Sequence, residues 1–348
     1  MEQIIRVGLD TSKRIFQLHG VNAAEQPVLC KQLRRSQLLA FFAKLAPTKV
    51  GLEACGASHH WARELSALGH EVKLLPPQYV KPYVKRGKND AADAEAICEA
   101  MSRPRMRFVA VKSVQRQAAQ MLLGTREQLL RRRTQVSNAI RGYAAEFGHV
   151  AAKGLRHLSE LVARVEADAA TPALARGLFR LHVLEFQQLD LLLREVEAEL
   201  LVLHRGDELS RRLAEIPGIG PIGATMLAVK VTDPHHFRSA RDFSAWLGLT
   251  PKDHGTAGRA RPGGITRAGD ERLRSVLVTG AMAVVRQARL GRGHHSDWLL
   301  RLLLRSSPKR AAVALANKTA RIVWRLMMSG ERYRPERAPP RPAAAARA

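Results

Sequence analysis

"IIRVGLDTSKRIFQLHGV", residues 4–21, reads as two short strands, 4–10 and 14–21, on either side of the turn Thr11-Ser12-Lys13. Asp10 closes the first. Working outward, "KVGLEA" (49–54) is a buried strand that carries Glu53 at its end and runs into a helix over "SHHWARELSALG" (58–69). "SQLLAFFAKLA" (36–46) has helical spacing, and "EVKLL" (71–75) is another strand, stopped by Pro76 and Pro77. Strands alternating with helices predict an α/β layer with some parallel pairing over residues 1–112.

Beyond this layer the hydrophobic period changes. Leu122, Leu129, Val136 and Tyr143 recur every seven residues, and Phe186, Leu189, Leu193, Val196, Leu200 and Leu203 step by threes and fours. That spacing predicts a coiled-coil helical segment over 113–206. The stretch Gly148 to Gly154 and the pair Thr171-Pro172 divide it into three helices, the first and last pairing antiparallel or with another subunit.

A mainly α-helical domain follows over 207–330, opening on "IPGIGPIGATMLAVKV" (216–231). Gly218 and Gly220 there form a turn like that of a helix-hairpin-helix, which either offers backbone N–H groups to a DNA phosphate or lets helices pack closely. Next come a helix over 240–249, a polar segment rich in Gly and basic residues over 250–270, and apolar helices over 271–290 and 309–328. The Pro, Ala and Arg tail, 331–348, is predicted to be disordered and to touch nucleic acid non-specifically.

Lys and Arg number 57 against 31 Asp and Glu, a formal net charge of +26 spread along the whole chain. Such a chain seeks a polyanion. No run is apolar enough for a bilayer span and the N-terminus lacks a secretory segment, so the expected partner is nucleic acid, not membrane, and the expected location cytoplasmic. Cys30, Cys55 and Cys98 form no Cys-x-x-Cys and read as buried thiols. The His-His pairs at 59, 235 and 294 have no partners at ligand spacing and read as surface or packing groups.

Against this background the acids of "KRGKNDAADAEAICEAM" (85–101) stand out. Asp90 and Asp93 lie one helical turn apart directly after Lys85, Arg86 and Lys88. Each acid has a plain structural use: Asp10 can cap a turn, Glu53 a helix, and a first-turn Asp favours the helix dipole. If the strands ending in Asp10 and Glu53 are parallel neighbours and the helix crosses their ends, however, four carboxylates converge. They then repel one another unless cations sit between them, and oxygen-rich sites of this kind suit Mg²⁺, two ions being able to act on one phosphodiester. The basic residues Lys85, Arg86 and Lys88 would then hold the nucleic acid.

The order strand-Asp, strand-Glu, helix-Asp-x-x-Asp resembles ribonuclease-H-like, RuvC-type nucleases. More specifically, "VGLDTSK", "GLEACGASHHWARELSALGHEV", "LPPQYVKPYVKRGKNDAADAEAICEA", "IPGIGPIGATMLAVKV" and "FSAWLGLTPKDHGTAGRARPGGITRAGDERLR" resemble the successive signatures of DEDD-type insertion-sequence transposases. These are the IS-one-ten family, IS-eleven-eleven subgroup, with which the Piv-type DNA invertases belong. The resemblance runs from about residue 5 to 330. It implies a RuvC-like domain, a coiled-coil segment and a C-terminal transposase domain with a nucleophilic serine. It implies site-specific recombination of donor and target DNA, guided in several relatives by a non-coding bridge RNA. Strand exchange at two duplexes usually needs two or four subunits, so the expected assembly is a homo-oligomer, a dimer or a tetramer. Carried over, the metal-binding tetrad falls on Asp10, Glu53, Asp90 and Asp93. The serine position falls on Thr256, with Lys252, Arg259, Arg261 and Arg267 as phosphate-holding groups. Ser239, Ser244, Thr250 and Thr266 are substitutes by spacing, the two serines reading first as helix hydrogen-bonding groups. A metal-dependent nuclease of Holliday-junction type and a catalytically weakened RNA- or DNA-binding scaffold are the alternatives.

Overall fold

The computed structural model describes residues 3–85, 89–253, 262–293 and 295–335. The chain forms two compact units, residues 1–117 and 118–348.

The first unit is built on a five-stranded sheet of β1 (Arg6–Thr11), β2 (Ile15–Val21), β3 (Pro27–Arg34), β4 (Lys49–Glu53) and β5 (Glu71–Leu75), in the spatial order β3-β2-β1-β4-β5. The first three strands pair antiparallel, while β1–β4 and β4–β5 are parallel. The two faces of the sheet differ. Val7, Leu9, Phe16, Leu18, Val50 and Leu52 point to one core, shared with α1 (Leu38–Phe42) and α2 (Ser58–Ala67) through Phe42, Trp61 and Leu65. Phe16 meets the edge of Trp61 with ring centroids 5.1 Å apart, and Arg35 covers the indole at 4.7 Å. The other face receives α4 (Asp90–Met101), which follows α3 (Pro77–Val80).

That packing depends on glycine. A Cβ at Gly8 would lie 2.1 Å from the Ala94 carbonyl oxygen and 2.6 Å from the Cys98 nitrogen, so α4 rests directly on the backbone of β1. Gly51, the register partner of Gly8 on β4, lies beneath the side chains of Ile97 and Met101, which a Cβ there would meet at 3.1 and 3.0 Å. Arg6 fastens the helix from below, donating from Nε to the Cys98 carbonyl at 2.9 Å while its guanidinium pairs with Glu25.

The second unit begins in the first turn of α5 (Val114–Glu146). With α6 (Leu158–Ala167) and α7 (Ala173–Gly206), this helix forms the three segments that the Gly and Thr-Pro punctuation predicts. Arg126 pairs with Glu197 and Arg133 with Asp190, both at 2.6 Å, so rising numbers on α5 meet falling numbers on α7 and the two run antiparallel within one chain. Leu129, Val136, Ile140 and Ala144 bury against Phe179, Leu189 and Leu193, with α6 closing the cluster through Leu161 and Val165. Tyr143 does not join this seam. It is 54 % exposed and stacks on His182, its expected place being taken by Ile140 and Ala144 because a 3.6-residue helix drifts from a seven-residue repeat.

After α8 (Glu208–Ala214), the helices α9 (Pro221–Lys230), α10 (Ala240–Trp246), α11 (Glu271–Arg289), α12 (Asp297–Arg305) and α13 (Pro308–Ser329) share one core. Between α10 and α11 the strands β6 (Pro251–Asp253) and β7 (Pro262–Ile265) pair antiparallel. Ala312, Ala316 and Ala320 repeat every four residues on α13, all fully buried, and allow close packing against the Leu273 and Leu277 side of α11. Among the described residues no helix is long and apolar enough to cross a membrane.

Two expectations are corrected. Cys98 is buried, but Cys30 and Cys55 are exposed, the first on the edge strand β3 and the second in the turn after β4. The segment expected to be helical over 36–46 forms only a 3-10 turn at Arg35–Gln37 followed by the short α1.

Candidate metal centre

Asp10 and Glu53 stand at the same level of the sheet, one step beyond the paired residues Leu9 and Leu52 of the parallel strands β1 and β4. Alternation along β1 puts Asp10 on the face of Gly8, beneath α4. Asp90 and Asp93 occupy the first turn of that helix, whose start is fixed by Asn89: its side-chain oxygen accepts the Ala91 N–H at 3.1 Å. Carboxylate oxygens of Asp10, Asp90 and Asp93 thereby come within 4.8 Å of one another. Asp90 is exposed, and Asp10, Asp93 and Glu53 are half-buried.

The electrostatics follow from this crowding. Burial pushes the Asp10 carboxyl above the ordinary aspartate range, and the negative charges of Asp93 and Asp90 push it further, opposed by the Thr11 backbone N–H. Glu53 is raised as well, by burial first and then by Asp10 and Asp93. Glu53 thus feels two of the three aspartates while its oxygen lies outside their 4.8 Å group. Among the described residues, every neighbouring side-chain charge that shifts Asp10 or Glu53 is itself an acid. A set of hard oxygen donors that destabilise one another in this way fits a divalent cation of the Mg²⁺ class.

The other anticipated groups belong to other segments of the chain. Lys85 is exposed and pairs with Glu95 of α4 at 2.7 Å, while Arg86 and Lys88 lie outside the described residues. Gly218 has φ +89°, and a Cβ there would come within 2.8 Å of the Gly280 carbonyl oxygen on α11, so this glycine permits a backbone-to-backbone contact. Gly220, by contrast, has open space around it and precedes Pro221 at the start of α9. Lys252 on β6 and Arg267 after β7 are exposed, Arg267 with φ +57° and its N–H donated to the Gly248 carbonyl at 3.1 Å. Thr256, Arg259 and Arg261 lie outside the described residues. Ser239 caps α10 by accepting the Asp242 N–H at 3.2 Å, and buried Ser244 donates to the Arg241 carbonyl at 3.0 Å. Both serines thus serve helix hydrogen bonds. Thr266 Oγ1 accepts from the Ala268 N–H at 3.4 Å.

Sequence reasoning missed the glycines that place the acids. A signal was present: Val-Gly-Leu-Asp at 7–10 and Val-Gly-Leu-Glu at 50–53 are near-repeats, and their Val-Gly-Leu parts align residue for residue as parallel neighbours. A repeated glycine two residues before a repeated acid marks one close approach beneath one acidic end.

A profile of DEDD-type IS110 transposases, described as "Transposase", matches residues 7–147, and one described as "Transposase IS116/IS110/IS902 family" matches residues 210–295. A "Putative transposase y4pF/y4sB" of Sinorhizobium fredii is 62 % identical over 96 % of the chain and 87 % of its own length. A "Probable family 20 transposase" of Pseudomonas aeruginosa is 46 % identical over 95 % of the chain and 98 % of its own. The "Transposase for insertion sequence element IS1111A" of Coxiella burnetii is 37 % identical over 96 % and 92 %.

Proposed function

This chain belongs to the IS116/IS110/IS902 family of insertion-sequence transposases, enzymes that cleave and rejoin DNA, and we propose that it is a site-specific recombinase whose acidic cluster is the metal-dependent centre. The observation that carries this reading is the meeting of Asp10, Asp90 and Asp93 within 4.8 Å, with Glu53 close enough to feel two of them. The four carboxylates would hold one or two Mg²⁺ ions. Cations bound there supply positive charge to the oxygens of a phosphodiester as negative charge builds on them. The chain's own contribution is rigidity, since Asp10 and Glu53 end paired strands and Asp90 and Asp93 are set by a capped helix.

In the proposed reaction the Thr256 hydroxyl attacks a DNA phosphate. A bond forms from Thr256 Oγ to phosphorus as the bond to the leaving DNA oxygen breaks, the hydroxyl proton passes to a base and the leaving oxygen takes one up. Reversal with the hydroxyl of another strand restores the diester and frees Thr256, so no bond energy is lost. Lys252, Arg259, Arg261 and Arg267 offset charge on the phosphorane, and the turn at Gly218 and Gly220 and the basic residues Lys85, Arg86 and Lys88 hold backbone phosphates. The reading divides the chain into a RuvC-like part (1–112), a coiled-coil segment (113–206), a transposase domain (207–330) and a basic tail (331–348). It further includes a bridge RNA that pairs with donor and target DNA, assembly as a dimer or tetramer, and action in the cytoplasm.

Asp90→Asn and Asp93→Asn test the centre. Recombination should fall on the order of 100-fold or more, as ligating groups matter no less than the outer groups that tune a metal, while filter-binding affinity for DNA stays near the parent's. Near-normal recombination by both variants would remove the metal-site assignment. Metal-dependent cutting with no protein–DNA adduct surviving denaturation would favour a hydrolytic nuclease instead.

A further inference from the structure

Gln17 is the register partner of Asp10 across the antiparallel strands β1 and β2. Directly opposed residues share a sheet face, with Cβ atoms about 4.5–5.5 Å apart. Phe16 and Leu18, on either side of Gln17, belong to the core on the α2 side, so Gln17 faces the opposite way, beneath α4 and next to Asp10. It is only 8 % exposed, and its side-chain oxygen is buried with no hydrogen-bond partner among the described residues.

A buried amide oxygen without a donor is unfavourable, and leucine or methionine would fill similar volume without that cost. The acid beside it cannot help: an ionised carboxylate only accepts hydrogen bonds. An orphaned carbonyl oxygen next to a carboxylate that shares a cation-fitting cluster is itself suited to a cation. We propose that Gln17 supplies a neutral oxygen ligand to the divalent cation held by Asp10, Asp90 and Asp93, an inference that rests on the metal-centre reading above. A neutral donor adds coordination without adding to the repulsion that already raises Asp10.

The test is a titration of the full chain with Mn²⁺, read by the electron paramagnetic resonance of the free ion, on the parent, Gln17→Met, Gln17→Glu and Asp10→Asn. Gln17→Met should weaken Mn²⁺ binding about tenfold, while its metal-free melting temperature stays level or rises because an unpartnered polar group has gone. Gln17→Glu should bind Mn²⁺ at least as tightly as the parent and melt lower without metal, since another acid joins the cluster. A purely structural role would move melting temperatures and leave the affinity alone. Parental affinity in Gln17→Met, with a loss in Asp10→Asn, overturns the role of Gln17 and leaves the metal centre standing. A parent that binds no Mn²⁺, or Asp10→Asn binding as the parent does, removes the metal centre and the Gln17 proposal with it. Should Gln17→Met fail to fold, Gln17→Glu decides: parental or tighter affinity supports the ligand and a loss overturns it.

Discussion

Gly8 has the most exacting local requirement in the first unit, because the Ala94 carbonyl and the Cys98 nitrogen occupy the space that a side chain would need. Gly8→Ala must therefore push α4 off β1, carrying Asp90 and Asp93 away from Asp10. Overpacking of this kind typically costs about 1–3 kcal/mol. The expected result is a lower melting temperature together with weakened Mn²⁺ binding, whereas Gly220→Ala, in open space, should change neither. Thermal denaturation with and without Mn²⁺ checks both, and unchanged cation binding in Gly8→Ala would detach the helix position from the site. The acids themselves were legible in the sequence, as strand ends and as an i, i+3 pair; Gly8 and Gln17 were not, because neither residue type announces its neighbour until the register is known. At Thr256 the sequence carries the argument alone. Thr256→Ala should abolish covalent protein–DNA adducts on denaturing gels, and Thr256→Ser should keep or raise them by removing a crowding methyl. A parental level of adduct in Thr256→Ala would exclude the hydroxyl as nucleophile.

The elements most readable from sequence are those with strong apolar patterns, and the strand missed in the first unit is β3, whose residues are largely polar and exposed at a sheet edge. The heptads of α5 and α7 were legible as a seam, but not which surface they would meet. Within one chain Leu193 is 3 % exposed and packs with Leu129, Val136 and Phe179. Leu193→Ala should accordingly lower stability by about 2–5 kcal/mol, in chemical denaturation, by an amount independent of protein concentration. A loss that vanishes at high concentration would instead place Leu193 in a contact between subunits. The exit from the first unit has its own fastening. His59 Nδ1 accepts the Lys112 backbone N–H at 3.2 Å, and Arg63 donates to the Lys112 carbonyl at 2.8 Å. Burial, then the nearby charges of Lys112 and Arg63, lowers the His59 pKa from 6.5 to about 4. The unfolded chain therefore binds more protons between these values, and the contribution of His59 to stability is present above pH 6.5 and lost as pH falls towards about 4. His59→Gln, which keeps an acceptor but does not titrate, should show a shallower fall in melting temperature over that window. Equal slopes for parent and variant would count against the fastening.

At the scale of the whole molecule, charge decides the mode of DNA binding. Even if every one of the 31 acids were paired with a base, the 57 Lys and Arg would leave an excess of 26, and several acids are already committed to internal pairs such as Arg126–Glu197 and Arg133–Asp190. The unpaired excess must be neutralised by ions in free solution and by phosphates in a complex, so binding releases counterions. Log affinity should then fall linearly with log salt, by about 0.9 per duplex phosphate engaged and about 0.7 per single-strand phosphate. A footprint of 6–10 phosphates would lose roughly 10³–10⁵ in affinity between 50 and 200 mM salt. Fluorescence anisotropy over that range measures the slope, and a flat dependence would mean that the basic surface is not the nucleic-acid contact. The same titration separates guidance from coating. Non-specific coating gives equal affinities for any RNA of one length at every salt concentration, because phosphates are the same in all of them. A guide RNA held through its shape adds contacts that salt does not screen, so its advantage over random RNA should widen as salt rises. If the two curves stay superimposed through high salt, the bridge-RNA part of the proposed function falls, while the DNA-cutting centre, which is tested by its own variants, stands apart from that result.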